Sequence, residues 1–144
     1  FINYPLEPLL QAARRAIDQG DLPIDEALRH FGEGFLSFIY SPEVQANRRL
    51  AIAAAGKTDL GRLMYERGVL RSQRLVTDFI RTAMSRGQLR NADPDLATKQ
   101  LYALLEAELI DLFLFQLAAD VPKETIRAMT ARALEVFLAA YGPR

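Results

Sequence analysis

Cysteine is missing altogether from the 144 residues of this chain. Its absence excludes zinc ribbons, iron–sulfur clusters, thiol catalysis and any disulfide scaffold. Histidine is nearly as scarce: His30 stands alone, so no imidazole pair is available to hold a metal. An excess of one charge is lacking too. Eighteen basic residues balance eighteen acidic ones, and a neutral chain has no global field to draw it onto nucleic acid or anionic lipid. No complete phosphate loop occurs, since Ala51 stands where the leading glycine before Gly56-Lys57-Thr58 would fall, and no serine sits in a nucleophile elbow. Gly32-Glu33-Gly34 supplies two glycines of a dinucleotide fingerprint, but Ser37 falls at the third position and the segment reads as helix. With no set of nucleophile, base and oxyanion donors in view, we expect neither an enzyme nor a cofactor.

What is present is apolar. Hydrophobic residues make up 50% of the chain, and a domain of this size hides roughly two-thirds of its unfolded surface without help from disulfides or metal. The most apolar stretch, Leu101 to Ala119, has the length of a membrane span but carries Glu106, Glu108, Asp111 and Gln116. Each is costly at bilayer depth, so we expect no membrane partner. The chain opens on Phe1, and no basic stretch leads into a short apolar run. We read it as a trimmed piece without a signal peptide, and expect a cytoplasmic protein.

Glycine and proline mark the helix boundaries, because glycine tolerates the left-handed position after a helix and proline suits its first turn. Leu6 to Gln19 ends at Gly20; Ile24 to Tyr40 follows Pro23; Ser41-Pro42-Glu43 opens a third helix ending at Gly56. Thr58 and Asp59 start a fourth that runs to Arg86 before Gly87, with a break or kink expected at Gly68. Asp93-Pro94-Asp95 combines a cap, a first-turn proline and a carboxylate at the positive end of the helix dipole. The last helix starts at Pro122 and stops before Gly142-Pro143. No segment alternates with period two over strand length. The expected fold is an all-α bundle of about six helices in a single domain spanning residues 1–144.

Charge is uneven along the bundle. Lys57 to Arg90 holds eight basic and three acidic residues. A solvated face bridged to acidic neighbours is the plain reading, and a nucleic-acid stripe the alternative. Arg62, Arg67, Arg71, Arg74, Arg81, Arg86 and Arg90 do not share one face at 100° per residue, which speaks against the stripe.

The last two helices carry more apolar surface than one neighbour can cover. On the final helix Ile126, Met129, Ala133, Val136, Phe137 and Ala140 form one face, and Ala131, Leu134, Leu138 and Tyr141 a second. Together they span about 220°, against the arc of about 100° that a helix with one buried side needs. We expect one face to pack inside the subunit and the other against a second copy. In the helix before it, leucines and phenylalanines from Leu101 to Leu117 point in nearly every direction, Asp111 marking the wettest strip. Glu106 interrupts one apolar side and Glu108 the opposite one. A buried carboxylate must be paired, bonded or protonated. Glu106 therefore bridges to an arginine of the Lys57–Arg90 segment or anchors a ligand, favouring cations or hydrogen-bond donors; Glu108 is a wet rim position or half of a pair across an interface. Phe31, Phe35 and Phe38 recur at helical spacing, as core or as pocket lining, with Tyr65 and Tyr102 near enough in pattern to join them. His30, one residue off that stripe, reads as exposed or at a rim.

At this point the residues resemble a family. Ser41-Pro42-Glu43, then Arg48-Arg49-Leu50-Ala51-Ile52-Ala53-Ala54, then Leu63-Met64-Tyr65-Glu66-Arg67-Gly68 resemble the middle of the regulatory domain of TetR/AcrR-type transcriptional repressors. Arg86-Gly87-Gln88-Leu89-Arg90 before Asp93-Pro94-Asp95-Leu96-Ala97 is similar to the segment leading into that family's eighth helix, and Phe137-Leu138-Ala139-Ala140-Tyr141-Gly142 to its ending. The likeness covers about residues 24–142. Residues 6–19 would be the later part of a connecting helix, and the family's N-terminal helix-turn-helix is absent from this chain. The stretch Ala55-Gly56-Lys57-Thr58-Asp59-Leu60 departs from the acidic and Arg-Phe-Pro-like pattern of many relatives.

The resemblance implies an effector-binding and dimerisation domain of a bacterial repressor, a homodimer that reaches DNA only through the N-terminal domain. A small hydrophobic or amphipathic ligand between the second, fourth and fifth helices would shift the first helix and spoil the spacing of two recognition helices. The ligand-binding candidates are Phe31, Phe35, Phe38, Tyr65, Phe79, Tyr102, Glu106 and Phe113. Those for the dimer interface are Leu105, Glu108, Leu112, Phe115, Arg127, Ala131, Leu134, Leu138 and Tyr141. A helical dimerisation or adaptor module and a stand-alone hydrophobe-binding bundle are the alternatives.

Overall fold

A computed structural model describes residues 23–118 and 120–143. The expected connecting helix at residues 6–19 lies outside them. Among the described residues every regular element is helical: α1 (Ile24–Ile39), α2 (Pro42–Ala54), α3 (Leu60–Met64), a π-helical turn (Tyr65–Leu70), α4 (Arg71–Ser85), α5 (Pro94–Glu106), α6 (Ile110–Leu114) and α7 (Lys123–Tyr141). None of these is long and apolar enough to cross a membrane.

α1 follows Pro23 and carries Asp25 and Glu26 in its first turn, where the positive end of the helix dipole favours them. It buries Leu28, Phe31, Phe35, Leu36 and Ile39 along one stripe, each side chain contributing about 1.5–3 kcal/mol of transfer free energy. α7 lies against α1 and α5, and α4 against the other side of α5. Gly32 makes the crossing possible: a Cβ there would sit 2.8 Å from Thr130 Cγ2 and 2.9 Å from Leu105 Cδ2. Leu28, Phe31, Leu36, Ile80, Leu101, Leu105 and Phe137 form the fully buried centre. His30 is exposed, as its place beside the aromatic stripe implied.

At Gly68, where a break or kink was expected, the chain stays helical from Leu60 to Ser85 but its α register is interrupted by the π-helical turn, in which Gly68 lies buried. One boundary differs from expectation. The rod expected through Leu101–Leu117 is divided: α5 ends at Glu106 and a tight turn, closed by Leu109 N–H donating to the Glu106 carbonyl at 2.9 Å, leads into α6. The turn re-aims the chain so that Leu109 and Phe113 both reach the core. α6 then closes with Gln116 at φ 60°. Gln116 N–H bonds to Phe113 O and Leu117 N–H to Leu112 O, the two bonds of a Schellman ending, with glutamine in the left-handed place that usually takes glycine. The same pair of bonds ends α4 around Gly87, at φ 74°. Asp93 caps α5 as expected, its carboxylate accepting from the Asp95 and Leu96 amides at 2.9 and 3.3 Å.

On α7 the buried face is Ile126, Met129, Thr130, Ala133, Leu134, Phe137 and Tyr141, while Val136 is 55% exposed. The inward face is therefore rotated from the expected one. Leu134 and Tyr141 are taken up by the subunit's own core, as is Leu105 on α5. These three were expected at a subunit interface; within the single subunit they are already buried. A wheel measures the width of an apolar face, but the neighbouring α1 and α5 decide which part of it they cover.

Candidate functional site

Between α1, α2, the π-helical turn, the start of α4 and the end of α5 lies a cavity of about 140 Å³. An apolar cavity of about 150 Å³ holds a benzene ring. Phe35, Phe38 and Ile39 form its α1 wall, Val44 and Arg48 its α2 wall, and Tyr102 and Glu106 its α5 wall. Met64, Gly68, Val69, Ser72 and Gln73 close it from the long rod. Tyr102 meets Phe35 edge-on, ring centres 4.8 Å apart, and its hydroxyl bonds to Ser72 Oγ.

One end of the cavity is polar. Arg48 grips Glu106 with two bonds, Nη1 to Oε1 at 2.8 Å and Nη2 to Oε2 at 3.2 Å. Tyr40 donates its hydroxyl to the same Oε1 at 2.7 Å. The side chains of Arg48 and Glu106 are 28% and 16% exposed, so the pair is largely withdrawn from water. Burial, then the bond to Glu106 and the charge of that carboxylate, hold the Tyr40 phenol well above the ordinary tyrosine range. Burial opposes the charge on Arg48, but the bond to Glu106 and its charge outweigh burial and hold the guanidinium above its usual value. Behind the pair, Arg48 and Arg49 both lie over the Phe113 ring, at 4.5 and 5.0 Å from its centre, which is within cation–π range. Arg49 also donates to Gln45 and to the Phe113 carbonyl, and buried Gln45 bonds to Tyr40 O at 2.8 Å.

The structure brings Phe35, Phe38, Tyr102 and Glu106 together on the cavity wall. It does not bring the other four ligand candidates there. Phe31 and Phe79 are buried in the core. Phe113 is turned under the two guanidiniums by the break between α5 and α6. Tyr65 is 50% exposed and borders a separate polar depression with Gln73, Thr77, Thr98 and Lys99. Glu106 is bridged within the chain, but by Arg48 of α2 rather than by an arginine of the Lys57–Arg90 segment. Two arginines of that segment make local bridges instead, Arg62 to Asp59 and Glu66 and Arg81 to Asp78, while Arg90 donates to the Ala140 carbonyl at the end of α7. Sequence reasoning missed Arg48, although its signal existed: Val44, Gln45, Arg48 and Ala51 lie at one-face spacing on α2.

Glu108 is exposed and held by Arg132 of the same chain through bonds of 2.8 and 2.7 Å. Those bonds, with the charge of Arg132, lower its pKa against the opposing effect of desolvation. Of the other interface candidates, Arg127 and Ala131 are exposed and Leu138 is half-buried. Leu112 and Phe115 are exposed at 42% and 75% and continue into Leu114 and Leu117 at 54% and 69%. These four large apolar side chains form an exposed run on one short segment.

An all-helical bundle with an internal cavity and an outer apolar strip suits a regulatory domain that takes up a small molecule. The chain belongs to the family of AefR-like transcriptional repressor C-terminal domains, whose model matches residues 26–143. Its fold is similar to that of a TetR-family transcriptional regulator from Mesorhizobium loti, with TM-score 0.85 and 24% identity over 95% of this chain and 66% of the other. The Flavonoid-responsive Regulator FrrA follows at 0.71 and 28%, over 96% and 74%. A TetR regulator from Agrobacterium tumefaciens gives 0.69 and 24%, over 97% and 73%. This chain thus spans about two thirds to three quarters of the length of these proteins. No protein with a curated description matches it.

Proposed function

We propose that the chain is the part of a TetR-type repressor that binds a small aromatic or amphipathic effector and pairs two subunits, all of residues 1–144 forming one regulatory domain. DNA would be engaged through a helix-turn-helix outside this chain, joined by a connecting helix at residues 6–19, in the cytoplasm. The observation that carries the reading is the cavity of about 140 Å³ walled by Phe35, Phe38 and Tyr102 and ended by the Arg48–Glu106 pair. Drug-sized pockets run to about 300–1,000 Å³, so a ligand larger than one ring has to displace a wall. The π-helical turn carrying Gly68 and Val69 is the natural one to yield, since π turns hold one residue more than the α register and gather at functional sites. FrrA is named for its response to flavonoids, which are aromatic; that favours an aromatic effector here.

Subunit pairing is supported by the strip Leu112, Leu114, Phe115 and Leu117, with Ala131 and Leu138 on α7 contributing and Arg127 at the edge. Phe115→Asp places a charge where a dry contact would lie, which a buried interface does not tolerate. Analytical ultracentrifugation should find the unaltered chain at twice its 16.2 kDa mass and the variant at the monomer mass. A monomeric unaltered chain sinks the pairing, and an unchanged dimer in the variant sinks its assignment to this strip. Binding is tested separately by titrating aromatic probes against backbone amides of Gly68, Val69 and Tyr102.

A further inference from the structure

Beyond the general class of effector, the polar end of the cavity selects by charge and by hydrogen-bond sense. We infer that the effector is an uncharged aromatic molecule bearing a hydrogen-bond donor, a phenol or its equivalent, whose donor is read by the Glu106 carboxylate. The inference rests on the cavity being the effector site.

Three observations lead to it. First, Glu106 borders the cavity with acceptor capacity to spare. A carboxylate has about four acceptor positions. Oε1 receives Tyr40 and Arg48 Nη1, while among the described residues Oε2 receives only the longer Arg48 bond, at 3.2 Å. Secondly, the charge of Glu106 is already cancelled. Arg48 faces it in a two-bond clamp, and the pair is mostly sheltered from water. An ammonium ligand would meet Arg48 as well as Glu106, and a carboxylate ligand would meet Glu106 as well as Arg48. Either ion would enter an apolar cavity without a net counter-charge, which is strongly unfavourable. Thirdly, apart from Ser72 and Gln73 the rest of the lining is mainly aromatic and aliphatic, with Phe35, Phe38, Val44 and Tyr102 among it. A hydroxyl on an aromatic ring donates to Glu106, accepts from Arg48 and leaves its ring against these walls. The expectation from sequence that Glu106 would favour cations or donors is thereby narrowed to donors.

Four one-ring probes suited to a cavity of this size test the inference: phenol, anisole, benzoate and benzylammonium, each titrated into the 144-residue chain with amide shifts followed by NMR. Phenol should bind about tenfold more tightly than anisole, which accepts but does not donate, the ratio expected for one hydrogen bond to a charged acceptor. Benzoate and benzylammonium should both be weaker than phenol. Equal affinities for phenol and anisole, with shifts at Gly68 and Tyr102, overturn the donor inference and leave the cavity reading standing. Tightest binding by benzylammonium or by benzoate also overturns it, because the pair would then act as a charge. Failure of all four probes to move those amides removes the cavity reading itself.

Glu106→Gln supplies the second arm. It uncovers the Arg48 charge, so benzoate should overtake phenol; an unchanged rank order rejects the role of Glu106. Tyr40→Phe keeps the ion pair and frees an acceptor position on Oε1. It should keep or strengthen the phenol preference, and loss of that preference refutes the reading even where Glu106→Gln fails to fold.

Discussion

Two ion pairs in this molecule have nearly the same geometry and should differ severalfold in strength. Arg48–Glu106 bonds at 2.8 and 3.2 Å and Arg132–Glu108 at 2.7 and 2.8 Å, so distance alone favours the second. Exposure reverses the order: the side chains are 28% and 16% exposed in the first pair and 56% and 45% in the second. Exposed pairs contribute about 0.2–1 kcal/mol, whereas breaking a fully buried pair costs about 3–5 kcal/mol because the surviving charge is stranded. The inner pair lies between these limits, with Tyr40 adding a bond to the same carboxylate.

A double-mutant cycle measures the difference. Arg48→Met and Glu106→Gln should each cost about 2 kcal/mol, and the double variant little more than either single one, because it strands no charge. The resulting coupling of about 2 kcal/mol corresponds to a fall in melting temperature of about 5–10 °C for each single variant in a domain of this size. The matching cycle on Arg132 and Glu108 should give a clearly smaller coupling, because water screens the exposed pair. Urea unfolding followed by circular dichroism gives all seven stabilities, the unaltered chain serving both cycles. Additive single costs at Arg48 and Glu106, with coupling under about 0.5 kcal/mol, or a larger coupling at the surface pair, refute the claim that shelter from water outweighs bond length here.

Further outcomes follow from single positions. Gly32→Ala inserts a methyl at 2.8 and 2.9 Å from Thr130 and Leu105 and should lower stability by about 1–3 kcal/mol; a neutral result in urea unfolding means α1 can slide on α7. Gln116→Gly relieves a left-handed residue at φ 60° and should raise stability by up to about 1 kcal/mol, so a loss of stability points to a side-chain role. Tyr40→Phe tests the phenol by pH. Its folded pKa lies above the ordinary 10.0, so the associated stability is intact below that value and is lost as pH rises beyond it, where the unfolded phenol ionises first. The unaltered chain should therefore lose stability more steeply above pH 10.0 than the variant, and parallel alkaline arms contradict the assignment.

The helix boundaries were legible because caps are local chemistry. Pro23, Gly87, Asp93-Pro94 and Pro122 each act on the next few amides or carbonyls, and each stands where a helix begins or ends. A third of the cavity wall was legible too, since Phe35 and Phe38 on α1 and Tyr102 and Glu106 on α5 keep helical spacing whichever neighbour they face. What the sequence concealed is tertiary. Ala107, Glu108 and Leu109 contain no helix breaker; the turn there exists because it lets Leu109 and Phe113 reach the core, a gain no local propensity records. The π-helical turn hides for a related reason, as one additional residue in the register rotates everything after it by about 100° on a helical wheel.

Arg48 is the instructive omission. It lies 58 residues from Glu106, and by composition it is one arginine among many. Only the α2 face it shares with Val44 and buried Gln45 distinguishes it. An apolar helix face interrupted by a carboxylate announces that a partner is needed, since the lone charge is too costly to bury, but it does not say from where the partner comes. The break after Glu106 settles that question physically: by turning Phe113 under Arg48 and Arg49, it gives both guanidiniums an aromatic surface to rest on and aims one of them at the carboxylate. The same turn that removed Phe113 from the cavity wall thus fixes the charged end of the cavity.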